Sequence, residues 1–205
     1  MRDAPDCTQD ETRALRADIY RLLARLLREP PSHELLDWLA GLDVDVSEGD
    51  LATHWAGLVE AARQATPEDL ARAHFRHLVG VIQGEITPYA SWYRNGELMD
   101  EALLSLRRDL RTLGIARREA VPEPEDHLAA LCESMALLIE AGSGDEARFF
   151  MAHLAPWATE CLADLARVDT LFYARLGELG IAFLAHERHH LEDEAVQDPV
   201  RLVEP

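Results

Sequence analysis

Leucine and alanine recur at helical spacing along most of this chain. The first stripe runs from Leu15 and Ile19 to Leu26 and ends before Pro30 and Pro31. Residues three and four apart lie on one face of an α-helix, and proline prevents its continuation. Similar stripes follow down the chain, and no segment shows the alternation that is typical of a strand. The sequence therefore predicts an all-α protein of nine or ten helices.

The 205 residues suit one globular domain with a full core. We predict a single helical domain over 1–205, with an N-terminal helical group at about 8–113 and a C-terminal group at about 124–194. The polar linker 114–123 is a candidate hinge between them. Because helices on either side of a hinge can pack within one chain or between two, we expect a monomer or a domain-swapped dimer.

The chain is strongly acidic, with a formal net charge of −18. A nucleic acid or an anionic membrane surface would repel it, so we expect basic partners and no nucleic acid. No apolar run approaches the length of a membrane span, and the N-terminus lacks the pattern of a secretory signal. Cys7, Cys132 and Cys161 are scattered, as is typical of reduced thiols. These features predict a cytoplasmic protein without stable membrane insertion.

The segment HERHH at 186–190 matches the H-E-x-x-H pattern of zinc hydrolases. In that pattern two histidines one helical turn apart bind the metal, and the glutamate acts as general base. His186, Glu187 and His190 are therefore a candidate zinc site. Both histidines continue an apolar stripe that includes Phe183, however, and the sequence offers no third ligand and no strand to align a substrate. We predict no metal, no cofactor and no enzymatic activity, and keep the zinc hydrolase as an alternative.

The segment GEITPYASWY at 84–93 places Tyr89, Trp92 and Tyr93 in a predicted loop. The presence of aromatic side chains in a loop has two interpretations, and the sequence does not decide between them. They plug the core between helical groups, or they form an aromatic rim around a peptide or small ligand.

The segment EPEDH places three carboxylates, those of Glu123, Glu125 and Asp126, around a helix that we expect to begin at Pro124. Acidic residues are favoured in a first turn by the helix dipole, which is one explanation. Clustered carboxylates also make a receptor for guanidinium groups, which is the other. His127 follows directly and is expected either to fix the preceding loop by a hydrogen bond or to titrate near neutral pH.

Several segments, in order, resemble the TorD/DmsD/NarJ-type redox-enzyme maturation chaperones. EPEDH resembles the E-P-x-D-H motif of that family, and the PYASWY segment lies upstream of it, as in the family. FFMAHLAPWATECLADL resembles the family's H-L-x-P-W segment, and FYARLGELGIAFLAHE resembles its last helix. The resemblance extends from about residue 12 to about residue 191.

This resemblance implies a cytoplasmic, TorD-like helical chaperone that binds the twin-arginine signal peptide and the apo-form of a molybdenum-cofactor oxidoreductase. Such a protein assists cofactor insertion and delays export. Glu187 matches an acidic position of the family's last helix, without a metal. A helical protein–protein interaction scaffold is the remaining alternative. The signal-peptide contacts that the resemblance implies are Glu123, Pro124, Glu125, Asp126 and His127, with Tyr89, Ser91, Trp92 and Tyr93 upstream.

Overall fold

The computed structural model describes residues 7–80, 84–117 and 123–197. This part of the chain contains ten α-helices and no named β-strand, which confirms the all-α prediction. The helices are α1 (Cys7–Arg28), α2 (His33–Ala40), α3 (Asp50–Gln64), α4 (Pro67–His74), α5 (Ala90–Asn95), α6 (Glu101–Thr112), α7 (Leu128–Ala141), α8 (Glu146–Phe149), α9 (Ala158–Leu165) and α10 (Leu171–Gln197).

Two helix starts follow local capping signals in the sequence. The Ser32 hydroxyl caps α2 by accepting from the backbone N–H of Leu35 at 3.3 Å. Thr66 caps α4 by accepting from the N–H of Asp69 at 3.2 Å. Each cap satisfies a donor that the helix itself leaves without a partner. The capping residues therefore position these two helices as the sequence predicts.

The predicted start of α7 at Pro124 is wrong. The helix begins at Leu128, and His127 is its N-cap: Nδ1 accepts from the backbone N–H of Ala129 at 3.0 Å. The residues before it are held elsewhere, because the carbonyl of Asp126 accepts from the N–H of Ala90 at 2.9 Å. The acidic residues thus form a turn before the helix rather than its first turn.

The predicted aromatic loop also contains regular structure. Ser91, Trp92 and Tyr93 lie on the short helix α5. Upstream, α4 continues into a π-helical turn, Phe75–Val79, which ends where Gly80 adopts a positive φ of 65°. The segment that follows, from Gly84 to Tyr89, connects this turn to α5 and runs beside the start of α7.

One hydrophobic core unites helices of both predicted groups. The longest contact is that of α1 along α7, while α10 packs against α3 and α9 and α2 packs against α3. The close approach of α9 and α10 requires a glycine, because a Cβ on Gly177 would lie 2.6 Å from the carbonyl oxygen of Leu162. The proposed hinge at 114–123 stays a prediction, since its residues 118–122 lie outside the described part of the chain.

Candidate functional site

A cavity of about 840 Å³ lies where α1, α7 and the segment 84–91 meet. Its volume is in the range of ligand pockets, about 300–1,000 Å³. Seven of the nine predicted contact residues line it, which brings both sequence segments to one place. These seven are Tyr89, Ser91, Glu123, Pro124, Glu125, Asp126 and His127.

Backbone hydrogen bonds join the two segments that carry these residues. The N–H of Ala90 donates to the carbonyl of Asp126 at 2.9 Å, and the N–H of Leu128 donates to the carbonyl of Pro88 at 2.8 Å. They form an isolated antiparallel bridge between Tyr89 and His127. The bridge holds the acidic turn against the start of α5, so the two segments form one wall of the cavity.

Asp126 is the most buried acid of the cavity wall, with an exposed fraction of 1%. Its Oδ2 accepts from the Ser91 hydroxyl at 2.6 Å and from the Ser91 N–H at 3.0 Å. Its Oδ1 is buried and has no hydrogen-bond partner. A buried acceptor without a donor costs about 1–3 kcal/mol. Asp126 lines the cavity, so a ligand that brings a donor to this oxygen would satisfy it.

His127 supports the wall rather than titrating near neutral pH. Its ring packs edge-on against Tyr89, with ring centroids 4.9 Å apart. Burial, together with the nearby charges of Arg28 and His74, lowers the pKa of His127 to about 3. The neutral ring can therefore accept from Ala129 at physiological pH. The side-chain hydrogen bond of His127 goes to Ala129 in α7 and not, as predicted, to the preceding loop, and its lowered pKa disfavours titration near neutral pH.

Glu123 and Glu125 have different surroundings. Arg107 holds Glu125, with Nε and Nη2 lying 2.9 and 2.8 Å from Oε2. Although burial raises the pKa of Glu125, the hydrogen bond from Arg107 and the charges of Arg107 and Arg117 outweigh it and lower this pKa below its ordinary value. Glu123 is half-buried and makes no ion pair with a described residue. Of these two carboxylates, Glu123 is thus the one that a ligand can pair with and leave the Arg107 ion pair intact.

Apolar side chains surround the same opening. Leu98 and Met99 are 52% and 70% exposed, and Val79 and Leu137 are about half exposed. Single exposed apolar residues are ordinary, but several around one cavity indicate a surface that a ligand covers. The site therefore combines carboxylates with an apolar rim.

Trp92 and Tyr93 lie outside this cavity. Tyr93 packs into the core, where its ring stacks on Trp157 at 5.6 Å and its hydroxyl donates to Asp164 at 2.9 Å. Trp92 is 38% exposed on α5. For Tyr93 the core-filling alternative of the sequence analysis is the one that the structure supports.

A family model and two known proteins resemble this chain. The family model described as nitrate reductase delta subunit matches residues 44–163. The Tat proofreading chaperone DmsD of Salmonella typhi is 30% identical in an alignment of 192 residues, which covers 85% of this chain and 91% of DmsD. The chaperone protein TorD of Actinobacillus succinogenes is 28% identical in an alignment of 109 residues, which covers 51% of this chain and 56% of TorD. The chain belongs to the TorD/DmsD/NarJ family.

A solved structure agrees with this assignment at the level of the fold. It is that of a candidate redox enzyme maturation protein from Archaeoglobus fulgidus, with a TM-score of 0.53 and 15% sequence identity over 87% of this chain and 94% of the other. The family membership identifies a chaperone of redox-enzyme maturation, with a redox-enzyme precursor as its partner, and confirms the prediction that the chain is not an enzyme. None of the described helices is long and apolar enough to cross a bilayer.

The HERHH segment has a structural role in this member of the family. Glu187 is fully buried and forms a bidentate ion pair with Arg16, at 2.7 and 3.0 Å. Contrary to the sequence analysis, Glu187 and not His186 continues the buried stripe, since His186 is exposed. Among the described residues, no three His, Cys, Asp or Glu side chains are placed to hold a metal ion. The general base that a zinc hydrolase needs is thus already committed to Arg16.

Sequence analysis missed the arginines and the apolar rim of the cavity. Arg28 pairs with Glu133 across α1 and α7, and Arg21 and Arg25 also line the wall. With Arg117, four arginines and five acidic residues line the cavity, so the acidity of the whole chain is not concentrated there. A signal for the rim was present: Leu98 and Met99 are adjacent apolar residues between Gly96 and a helix start, where no stripe requires them.

Proposed function

We propose that this chaperone binds the twin-arginine signal peptide of a molybdenum-cofactor oxidoreductase precursor in the cavity at Asp126. It holds the apoenzyme until the cofactor is inserted and so delays export. The observation that carries the proposal is the free Oδ1 of Asp126, a buried acceptor in the wall of a peptide-sized opening.

A guanidinium group suits this acceptor. It is planar, always charged and offers several N–H donors in a fixed fork. One arginine of the leader would donate to Oδ1 of Asp126, and the second would reach Glu123 at the edge of the cavity. Burial raises the pKa of Tyr89 most, and the charges of Glu123 and Asp126 raise it further. Both carboxylates therefore act on the same part of the cavity wall. Both arginines of the pair thus find a carboxylate on the same wall.

The apolar stretch of the leader would cover the rim. Exposed ion pairs contribute about 0–1 kcal/mol each, so charge at Glu123 alone gives little affinity. Burial of apolar surface contributes about 25 cal/mol per Å². Contact with Val79, Leu98, Met99 and Leu137 would therefore provide much of the affinity, while the carboxylates provide specificity for the arginine pair.

Calorimetry with a synthetic leader peptide tests the proposal. The peptide is the twin-arginine leader of a molybdoenzyme precursor, and the matched controls replace its arginine pair by Gln-Gln or by Lys-Lys. We expect the native leader to bind, Gln-Gln to bind at least tenfold more weakly, and Lys-Lys to lie between, because lysine keeps the charge without the fork.

The alternatives give different results. A scaffold for folded proteins would capture the mature part of the enzyme equally well with and without its leader. Equal binding of the native and Gln-Gln leaders would show that the arginine pair is not recognised. Absence of leader binding even at low salt would overturn the proposal.

A further inference from the structure

Met99 has a backbone conformation that is unusual for its residue type. Its φ is 62°, the only positive φ among the described residues other than glycine. This left-handed region brings the Cβ of an L-residue too close to its own backbone, so it persists only where the surroundings hold it. The side chain is 70% exposed at the rim of the cavity. The chain thus uses a strained conformation to present an apolar side chain to solvent.

Ser91 holds this conformation. The backbone N–H of Met99 donates to the Ser91 hydroxyl at 3.2 Å. The same hydroxyl donates to Oδ2 of Asp126 at 2.6 Å, and Ser91 itself is fully buried. One hydroxyl therefore connects the carboxylate in the cavity wall to the apolar residue on the rim. Hydrogen bonds in such a chain polarise and orient one another.

We propose that Ser91 is a positioning residue that couples the guanidinium-binding carboxylate of Asp126 to the apolar contact at Met99. This deepens the proposed function and rests on it. A guanidinium on Oδ1 fixes the carboxylate, which orients the Ser91 hydroxyl and with it the N–H of Met99. A leader segment packed on Met99 stabilises the same series of hydrogen bonds from the other end. The arginine pair and the apolar stretch then bind cooperatively. Each part alone should therefore bind more weakly than its contribution to the affinity of the whole leader implies.

A double-mutant cycle on leader affinity tests the coupling. Asp126→Asn weakens the carboxylate end, and Met99→Gly removes the apolar side chain while keeping φ near 62° without strain. Substitutions that do not share a partner multiply their effects on affinity. We expect the affinity loss of the double variant to be at least threefold smaller than the product of the two single losses. In a Ser91→Ala background the losses should multiply, and Ser91→Ala alone should weaken the native leader about tenfold.

Ser32→Ala is the matched control for the lost hydroxyl. Ser32 also accepts from a backbone N–H, at the start of α2, a helix that contributes none of the described residues of the cavity. We expect this variant to bind the leader within twofold of the unaltered protein. A similar loss in Ser32→Ala and Ser91→Ala would attribute the effect to general destabilisation and overturn the proposed role.

The cycle in the otherwise unaltered protein decides the question even if Ser91→Ala does not fold. Multiplicative losses there, with the native leader still bound in the cavity, would overturn the coupling and leave the proposed function standing. Failure of the unaltered protein to bind any leader would overturn both.

Discussion

Arg16 and Glu187 form a buried ion pair that joins α1 to α10. The Arg16 side chain is 8% exposed and the Glu187 side chain is fully buried. Burial, followed by the charge of Glu187, raises the pKa of Tyr20 well above its ordinary value, which places the Tyr20 hydroxyl in the same environment. The pair lies between the first and last helices, and neither residue lines the cavity of Asp126. Its role is to fix the helices against each other.

Removing Glu187 should therefore cost stability. Glu187→Ala leaves the buried guanidinium of Arg16 without its carboxylate, and loss of one partner of a buried pair costs about 3–5 kcal/mol. Glu140→Ala is the matched control, because Glu140 pairs with Arg21 between α1 and α7 where both side chains are nearly half exposed. Such a pair contributes about 0–1 kcal/mol. Urea unfolding measures both, and equal losses would show that burial does not govern the Arg16 pair.

Gly177 gives a second test of the packing. A Cβ there would lie 2.5 Å from the backbone nitrogen of Ala166 and 2.6 Å from the carbonyl oxygen of Leu162, so α9 and α10 must separate. Overpacking of this kind costs about 1–3 kcal/mol, and we expect Gly177→Ala to lower the thermal midpoint.

Gly57 is the matched control for Gly177. A Cβ at Gly57 would meet mainly the flexible side chain of Arg175, at 3.3 Å. Because alanine is favoured over glycine inside a helix by about 0.5–1 kcal/mol, Gly57→Ala should be neutral or stabilising. A lower midpoint in Gly57→Ala than in Gly177→Ala would contradict this account of the α9–α10 contact.

The helices were predictable because their signals are local. Ser32 and Thr66 act within one turn of their own helices, and apolar periodicity identifies the buried faces. The start of α7 was not predictable in this way, since it depends on Asp126 and Ala90, residues 36 positions apart that meet only in the fold. The same applies to Glu187, whose partner Arg16 lies at the other end of the chain.

The site was predictable in part for a similar reason. The family resemblance brought EPEDH and PYASWY together, and seven of the nine implied residues do line one cavity. It could not separate Tyr89, which faces the cavity, from Tyr93, which packs on Trp157. It also gave no information on which carboxylates are already paired, because Arg107 lies on another helix.

The pH dependence of stability gives a third prediction. The pKa of His127 is about 3 in the folded protein, against about 6.5 in an unfolded chain. As the pH falls below about 6.5, the unfolded chain binds a proton that the folded protein does not. The stability that neutral His127 contributes is therefore fully present above this pH and is lost as the pH falls towards about 3. The loss amounts to about 1.4 kcal/mol per pH unit.

His127→Asn isolates this contribution. Asparagine keeps a capping acceptor for α7 but does not titrate. His74 and His153 also have pKa values lowered by burial, so some slope should persist in the variant. Urea unfolding between about pH 5 and about pH 7 should show a flatter slope in His127→Asn than in the unaltered protein. A His127 ring signal that titrates near its ordinary pKa in NMR spectra would contradict the prediction.

The last prediction compares two carboxylates of the acidic turn. Asp126 has an oxygen without a partner, whereas Glu125 is held by Arg107 and lies near Arg117. Asp126→Asn leaves a bound guanidinium without its charged acceptor, and truncating such a buried contact costs about 2–5 kcal/mol of binding. We therefore expect Asp126→Asn to lower leader affinity at least tenfold, with little change in the unfolding midpoint.

Glu125→Gln is the matched charge removal one residue away. Because its carboxylate is already occupied by Arg107, the leader gains little from it, and we expect its loss to change affinity less than threefold. The loss should appear instead in stability, as about 1 kcal/mol or less for a pair that is partly exposed. Calorimetry and urea unfolding on both variants separate the two roles. Equal affinity losses would mean that the leader displaces Arg107 from Glu125, and would extend the binding site along the turn towards α6.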